Sequence, residues 1–267
     1  MKKGFTFTLL FLLALGMMVS ATLPAQASSA AQELPQSDNP PLPSRAQQFS
    51  RMAARWTAST AWSSATESVS QADPDKVIYL TFDDGPDPIW TPQVLRILES
   101  YHARATFYMI GKNARSYPEV IRALAEAGHT MGNHTYNHVD LSKLTFSDYA
   151  SEVHGTDRAI RDALSENPQF QHQVTPCLRP PYGEIGGNVY GNAAQLGYSI
   201  SMWQLDTRDW AGPPAEEILN EISGKVFSHE VVLMHDGGKD RANTINALPL
   251  VLHELVLEGF SFQPYCT

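Results

Sequence analysis

Cysteine is scarce in this sequence, and basic charge is outnumbered. Two cysteines in 267 residues, Cys177 and Cys266, are too few for a disulfide framework or a four-thiolate zinc site, and no C-x-x-C occurs. Nineteen Lys and Arg against 28 Asp and Glu leave a net charge of −9, which works against gripping a phosphate backbone and argues against a nucleic-acid binder. Neither phosphate-cradling signature, G-x-x-x-x-G-K-[ST] or G-x-G-x-x-G, is present. The nucleophile-elbow pattern G-x-S-x-G is also missing; Gly197-Tyr198-Ser199-Ile200-Ser201 lacks the second glycine. What the chain does have is 43% apolar and 18% charged residues, enough for a sizeable core and too little charge for a mostly unstructured chain. Carboxylates and nine histidines remain as the chemistry-bearing groups, the palette of metal-assisted hydrolysis.

Lys2 and Lys3 precede an apolar run over residues 5–19, and Ala25-Gln26-Ala27 follows. That order reads as a secretory signal peptide cut after Ala27, with the periplasm or the exterior as destination. An uncleaved anchor is the alternative, although the run is shorter than the ~20 residues that span a bilayer. After cleavage no stable membrane insertion is expected. Residues 28–75 are rich in Ser, Ala, Gln and Pro and read as a linker, too poor in apolar surface to offset chain entropy. Within it Phe49, Met52, Ala53 and Trp56 recur at helical spacing and suggest one short amphipathic helix. Outside the cytoplasm Cys177 and Cys266 could pair; two separate buried thiols are the plainer expectation.

From Lys76 the pattern changes. β-rich runs over 77–82, 105–110, 129–133, 174–178, 199–205, 231–234 and 260–263 alternate with helical patterns near 91–101, 115–127, 146–165, 188–196, 215–225 and 243–258. Strands alternating with helices predict an α/β domain over 76–267 with a parallel sheet, either a distorted seven-stranded (β/α) barrel or an open doubly wound sheet. In both, loops after the strands converge on one face, so residues far apart in sequence can share a site.

Five such loops carry chemistry. Thr81-Phe82-Asp83-Asp84-Gly85-Pro86-Asp87 sets two carboxylates side by side before a turn; alone it could be a solvated acidic turn. His134-Thr135-Tyr136-Asn137-His138 spaces two histidines four apart, as on one face of a helical turn, where both could reach one ion. Asp plus two His would leave a coordination position open, the hydrolytic arrangement rather than the closed structural one. Arg179-Pro180-Pro181-Tyr182-Gly183 is a stiffened loop whose guanidinium could hold a carboxylate ionised, or only a rigid surface turn. Asp206-Thr207-Arg208-Asp209-Trp210 follows the fifth strand, and Leu233-Met234-His235-Asp236 closes the sixth. His235 could be a tuned general acid with an aspartate beside it. Trp210 could stack on a sugar or fill a core.

Together and in this order, the motifs T-F-D-D-G-P, H-T-x-x-H, R-P-P-Y-G, D-x-x-D-W and L-x-H resemble those of the polysaccharide deacetylase family, the NodB-homology or carbohydrate esterase family 4 domain, over about residues 76–263. The resemblance implies a distorted (β/α) barrel and metal-dependent removal of acetyl groups, usually from N-acetylated sugar polymers. It assigns one divalent ion, most simply Zn²⁺, to Asp84, His134 and His138, and the general base to Asp83 with Arg179 holding it. The Tyr182 backbone N–H would meet the oxyanion. His235 would protonate the departing amine, supported by Asp209, with Asp206 as the competing candidate. Leu233 and Trp210 would shape the wall facing the acetyl methyl and the sugar ring. The implied substrate is acetylated amino-sugar polysaccharide, most plausibly peptidoglycan N-acetylglucosamine or N-acetylmuramic acid. Chitin oligosaccharides, an exopolysaccharide or O-acetylated xylan are the alternatives, and an inactive carbohydrate-binding protein on the same fold is a further one. No protein partner is implied.

Overall fold

A computed structural model of the chain describes residues 75–266. The expected signal peptide and linker, with the short helix near residues 49–56, therefore lie outside the described residues, Asp75 excepted. Among the described residues no helix is long and apolar enough to cross a membrane.

The apolar runs form β1 (Val77–Asp83), β2 (Thr106–Met109), β3 (Thr130–Asn133), β4 (Val174–Leu178), β5 (Ser199–Ile200), β6 (Leu205–Asp206), β7 (Glu230–His235) and β8 (Ser261–Phe262). Every pairing between them is parallel. All residues of β2 and β3 are buried, as expected when a parallel sheet is covered on both faces. The helices that cover it are α1 (Thr91–Ser100), α2 (Gly111–Ser116), α3 (Pro118–Glu126), α4 (Phe146–Ala163), α5 (Val189–Gln195), α6 (Ala215–Ile222) and α7 (Ala242–Leu257). Phe82 and Phe107 stack inside at 5.1 Å, and α7 turns Leu248, Val251, Leu252 and Leu255 into the core. A second cluster joins Tyr149 and Val153 of α4 to Leu178 and Val189.

Two elements differ from the sequence expectation. The helical pattern at 115–127 is two helices, because Pro118 lacks the N–H that would continue α2 and instead starts α3. The run at 199–205 is two short strands, and they do not neighbour each other. The sheet runs β5-β4-β3-β2-β1-β7-β6, with β8 added beside β1, so β5 and β6 occupy opposite edges. Only residues 201–204 join them, a reach of about 17 Å at most. The sheet must therefore curl until its edges approach, which makes a distorted (β/α) barrel and excludes the flat doubly wound alternative.

Cys177 of β4 and Cys266 are joined by a disulfide, with Cα atoms 6.4 Å apart. This corrects the expectation of two separate thiols. The pairing was invisible in a separation of 89 residues, because only the curled sheet brings the chain end against β4. Thr106 completes the tether by accepting from the Tyr265 N–H and donating to its carbonyl. Closing a loop of that length contributes about 4–5 kcal/mol in the chain-entropy account.

Candidate active site

Strand register brings the motifs to one level. Asp83, the last residue of β1, pairs with Tyr108 on one side and with His235, the last residue of β7, on the other. Met109 pairs with Asn133, and Asn133 with Leu178, so the loops that begin at Asp84, His134 and Arg179 leave the barrel at the same end. Of the eight non-glycine residues with positive φ among the described residues, Asp84, Thr135, His138 and Tyr182 belong to these loops and Arg208 to the loop after β6. Each such conformation costs on the order of 1–3 kcal/mol, which the surrounding structure must supply.

Asp84, His134 and His138 gather their ligating atoms within 4.8 Å of one another. Asp84 Oδ1 lies 3.5 Å from His134 Nε2 and 3.2 Å from His138 Nε2, and it is a buried oxygen that accepts no hydrogen bond. The two histidines do not ride on a helical turn, as their spacing had suggested. They lie on a loop bent by left-handed backbone at Thr135 and His138, and that bend turns both rings inward. His134 Nδ1 donates to the Arg179 carbonyl at 2.7 Å; a carbonyl only accepts, so Nδ1 carries a proton and Nε2 faces the carboxylates. Burial disfavours charge on Asp84, yet the adjacent His134 and His138 imidazoles hold it well below the usual carboxylate range. Burial likewise opposes charge on His134, but the Asp83 carboxylate and then Asp84 raise its pKa. An anionic oxygen left unpaired between two imidazole nitrogens, with an N/O donor set around it, fits a divalent cation.

Asp83 is 3% exposed and Arg179 is fully buried. Arg179 donates through Nη1 to Asp83 Oδ1 and Thr81 Oγ1, both at 2.8 Å, and its guanidinium lies over the Tyr108 ring at 4.0 Å. Its other nitrogens reach the carbonyls of Ser201 and Met202, inside the segment that bridges β5 and β6. One side chain thus orients Asp83 and ties it to the segment that joins β5 to β6.

On the opposite side, His235 Nδ1 meets Asp209 Oδ1 at 2.7 Å, and the His235 N–H donates to Asp209 Oδ2 at 2.9 Å. Thr244 of α7 donates to the same oxygen. Burial lowers the pKa of His235, but Asp209, with Asp83 and Asp84 behind it, turns the net shift upward. Asp206, the competing candidate, is occupied elsewhere: it accepts from the Arg208 N–H and the Trp210 indole N–H.

Tyr182 is exposed, packs its ring 4.7 Å from that of His138 and donates its hydroxyl to the His138 carbonyl. It lines, with Asp84, His138, Asn113 and Lys239, an open cleft of about 670 Å³. Trp210 is 42% exposed, whereas Leu233 is buried within β7, and neither belongs to that lining. A larger hollow of about 850 Å³ is lined by α2, α3 and α4 and includes none of the clustered ligands.

Sequence reasoning missed Arg241, which is 2% exposed and approaches Asp84 Oδ2 to 3.5 Å. It also passed over Asp236 in its motif. That carboxyl is fully buried behind Gly85, accepts from Thr91 Oγ1, and is pushed by burial up to about 7. A signal was available in Gly237-Gly238. A Cβ on Gly237 would strike the Asp84 carbonyl, and one on Gly238 would lie 2.8 Å from Asp84 Oδ2.

Comparison with known proteins gives the family of the chain. Residues 70–201 match the family profile described as polysaccharide deacetylase. A peptidoglycan-N-acetylglucosamine deacetylase of Bacillus cereus is 40% identical over 192 residues, which cover 70% of this chain and 85% of that protein. A chitooligosaccharide deacetylase of Bradyrhizobium sp. is 35% identical over 198 residues, covering 70% and 88%. The solved structure of a family 4 carbohydrate esterase from Streptomyces lividans in complex with acetate is 31% identical, with a TM-score of 0.63 over 70% of this chain and 92% of that one.

Proposed function

Because this chain belongs to the polysaccharide deacetylase family, we propose that it hydrolyses N-acetyl groups from amino-sugar polysaccharide, and most specifically from peptidoglycan. The observation that carries the proposal is the partnerless Asp84 Oδ1 facing two imidazoles, with a held carboxylate on one side and a held imidazole on the other.

Asp84, His134 and His138 would hold the cation, and Zn²⁺ is the ion their donors favour. When bound, such an ion supplies Lewis-acid polarisation of a carbonyl and acidifies water. Asp83 accepts the proton of the attacking water; its bond to Arg179 keeps the carboxylate aimed. The Tyr182 N–H donates to the oxygen on which negative charge develops. His235, whose pKa the neighbouring Asp209 raises, delivers a proton to the departing amine. Trp210 and Leu233 are assigned to the walls against the sugar ring and the acetyl methyl. Amide cleavage then releases acetate and leaves a free amino sugar.

Export to the periplasm or the exterior belongs to the same reading. The apolar leader with its Ala25-Gln26-Ala27 end supports it, and so does the disulfide, which persists in oxidising compartments. The test is acetate release from peptidoglycan, chitin oligomers and acetylxylan, before and after chelation and with Zn²⁺ restored. Release from peptidoglycan that chelation abolishes and zinc restores is expected. Silence on every amino sugar would overturn the proposal; faster release from chitin oligomers, substrates like those named for the Bradyrhizobium relative, would replace the polymer but keep the chemistry.

A further inference from the structure

The two adjacent carboxylates are each met by a buried arginine, and the second of these has no part in the chemistry above. Arg179 takes Asp83 Oδ1, while Arg241 turns its Nη2 to Asp84 Oδ2 at 3.5 Å. Arg241 precedes α7, and its Nε donates to the Gly237 carbonyl at 2.7 Å, so its head is pinned to the loop that follows β7. That loop also presents Gly237 and Gly238, whose bare Cα atoms let it lie against the Asp84 main chain and Oδ2. From the other side the Asn113 amide donates to the Asp84 carbonyl at 3.0 Å. The outcome is an asymmetric carboxylate. One oxygen faces a guanidinium, and the other, buried and without a hydrogen bond, faces His134 and His138.

We propose that Arg241 is a positioning residue for the cation site: it engages Asp84 Oδ2 so that Asp84 presents Oδ1 alone, as a one-oxygen ligand. The proposal rests on the reading of Asp84 as a ligand and deepens it. Two arguments favour positioning over loop architecture. The bond to Gly237 would suffice to hold the loop, yet the guanidinium reaches past it to the carboxylate. Without a cation beside Oδ2, Asp84 could also swing to offer both oxygens, or turn away from Asp83, whose like charge is adjacent in sequence.

The test measures Zn²⁺ affinity of the metal-stripped protein against a chromophoric chelator, together with the visible spectrum of the Co²⁺ form and the thermal midpoint of the stripped protein. Arg241→Gln should weaken Zn²⁺ binding about 10- to 100-fold, as loss of a residue that orients a ligand does, and should alter the Co²⁺ bands. Arg241→Lys, which keeps charge but cannot serve Gly237 and Asp84 with a rigid fork, should recover part of the affinity. If Arg241→Gln does not fold, Arg241→Lys decides alone: weakened binding with altered bands supports the proposal. Affinity within twofold of wild type and unchanged bands, with only the midpoint lowered, would reduce Arg241 to a loop residue. Asp84→Asn separates the two levels. If it binds Zn²⁺ as wild type does, the ligand reading fails; if it loses the ion while Arg241→Gln keeps it, only the present inference fails.

Discussion

Two hollows among the described residues differ in kind, and the smaller of the two holds the candidate site. The groove lined by α2, α3 and α4, about 850 Å³, contains Arg115, Arg122 and Arg158 along with Glu152, Asp162 and Glu166. Its charges are satisfied locally or exposed. Both Glu152 oxygens accept from Asn137, and Arg122 donates to the Ala163 carbonyl. The cleft at the strand ends, about 670 Å³, is built the other way. Among the described residues three buried side-chain atoms lack a partner, and two of them, Asp84 Oδ1 and Asp236 Oδ1, belong to the strand-end loops. None lines the helical groove. An unmet buried acceptor costs about 1–3 kcal/mol, more when charged, and persists where something else is meant to meet it. Volume is therefore the poorer guide, and frustrated polarity the better one.

That contrast can be broken at the base. Asp83→Asn should cut turnover by about 10²- to 10⁴-fold, the worth of a positioned proton acceptor, while Zn²⁺ stays bound. Metal analysis beside the acetate assay checks this, and loss of the ion would mean the roles of Asp83 and Asp84 are exchanged. The variant should also lose roughly 3–5 kcal/mol of stability, since it strips a fully buried guanidinium of its counter-charge, so it must be assayed below its own midpoint.

Asp209→Asn sharpens the acid side. Removing the carboxylate that raises the His235 pKa should move the alkaline limb of the pH–rate profile to lower pH. At neutral pH the rate should fall by about 10-fold or more. The stability sign follows from the same shift. A histidine whose pKa is raised on folding stabilises most below about pH 6.5 and loses that contribution as pH rises through its folded value. The stability gap between wild type and Asp209→Asn should thus narrow toward alkaline pH. A profile that does not move would remove His235 from the acid role.

The helical groove should respond least. Arg115 and Arg158 are exposed, and replacing both with Ala should leave acetate release within twofold and stability within about 0.5 kcal/mol. A loss confined to polymeric substrate would break the comparison by making that groove a second binding surface.

Much of the fold was legible because each strand was a short apolar run ended by turn chemistry. The matches for β1 through β4 are close for that reason. Residues 199–205 misled because a β-rich run does not say which neighbour each half will pair with. Asp206 and Asp209 looked interchangeable three residues apart, yet Arg208 adopts left-handed backbone and the one-turn helix at Asp209–Ala211 aims only Asp209 at His235.

The amino-acid sequence by itself determined the alternation that makes a parallel barrel and the side chains available where its strands end. Those follow from local periodicity, turn residues and motif order, which act over a few residues. The curled sheet alone decided that Cys177 meets Cys266, that Arg179 reaches the segment joining β5 to β6, and that Arg241 reaches Asp84 from 157 positions away. Such pairings depend on register and closure, which are set by packing across the whole chain.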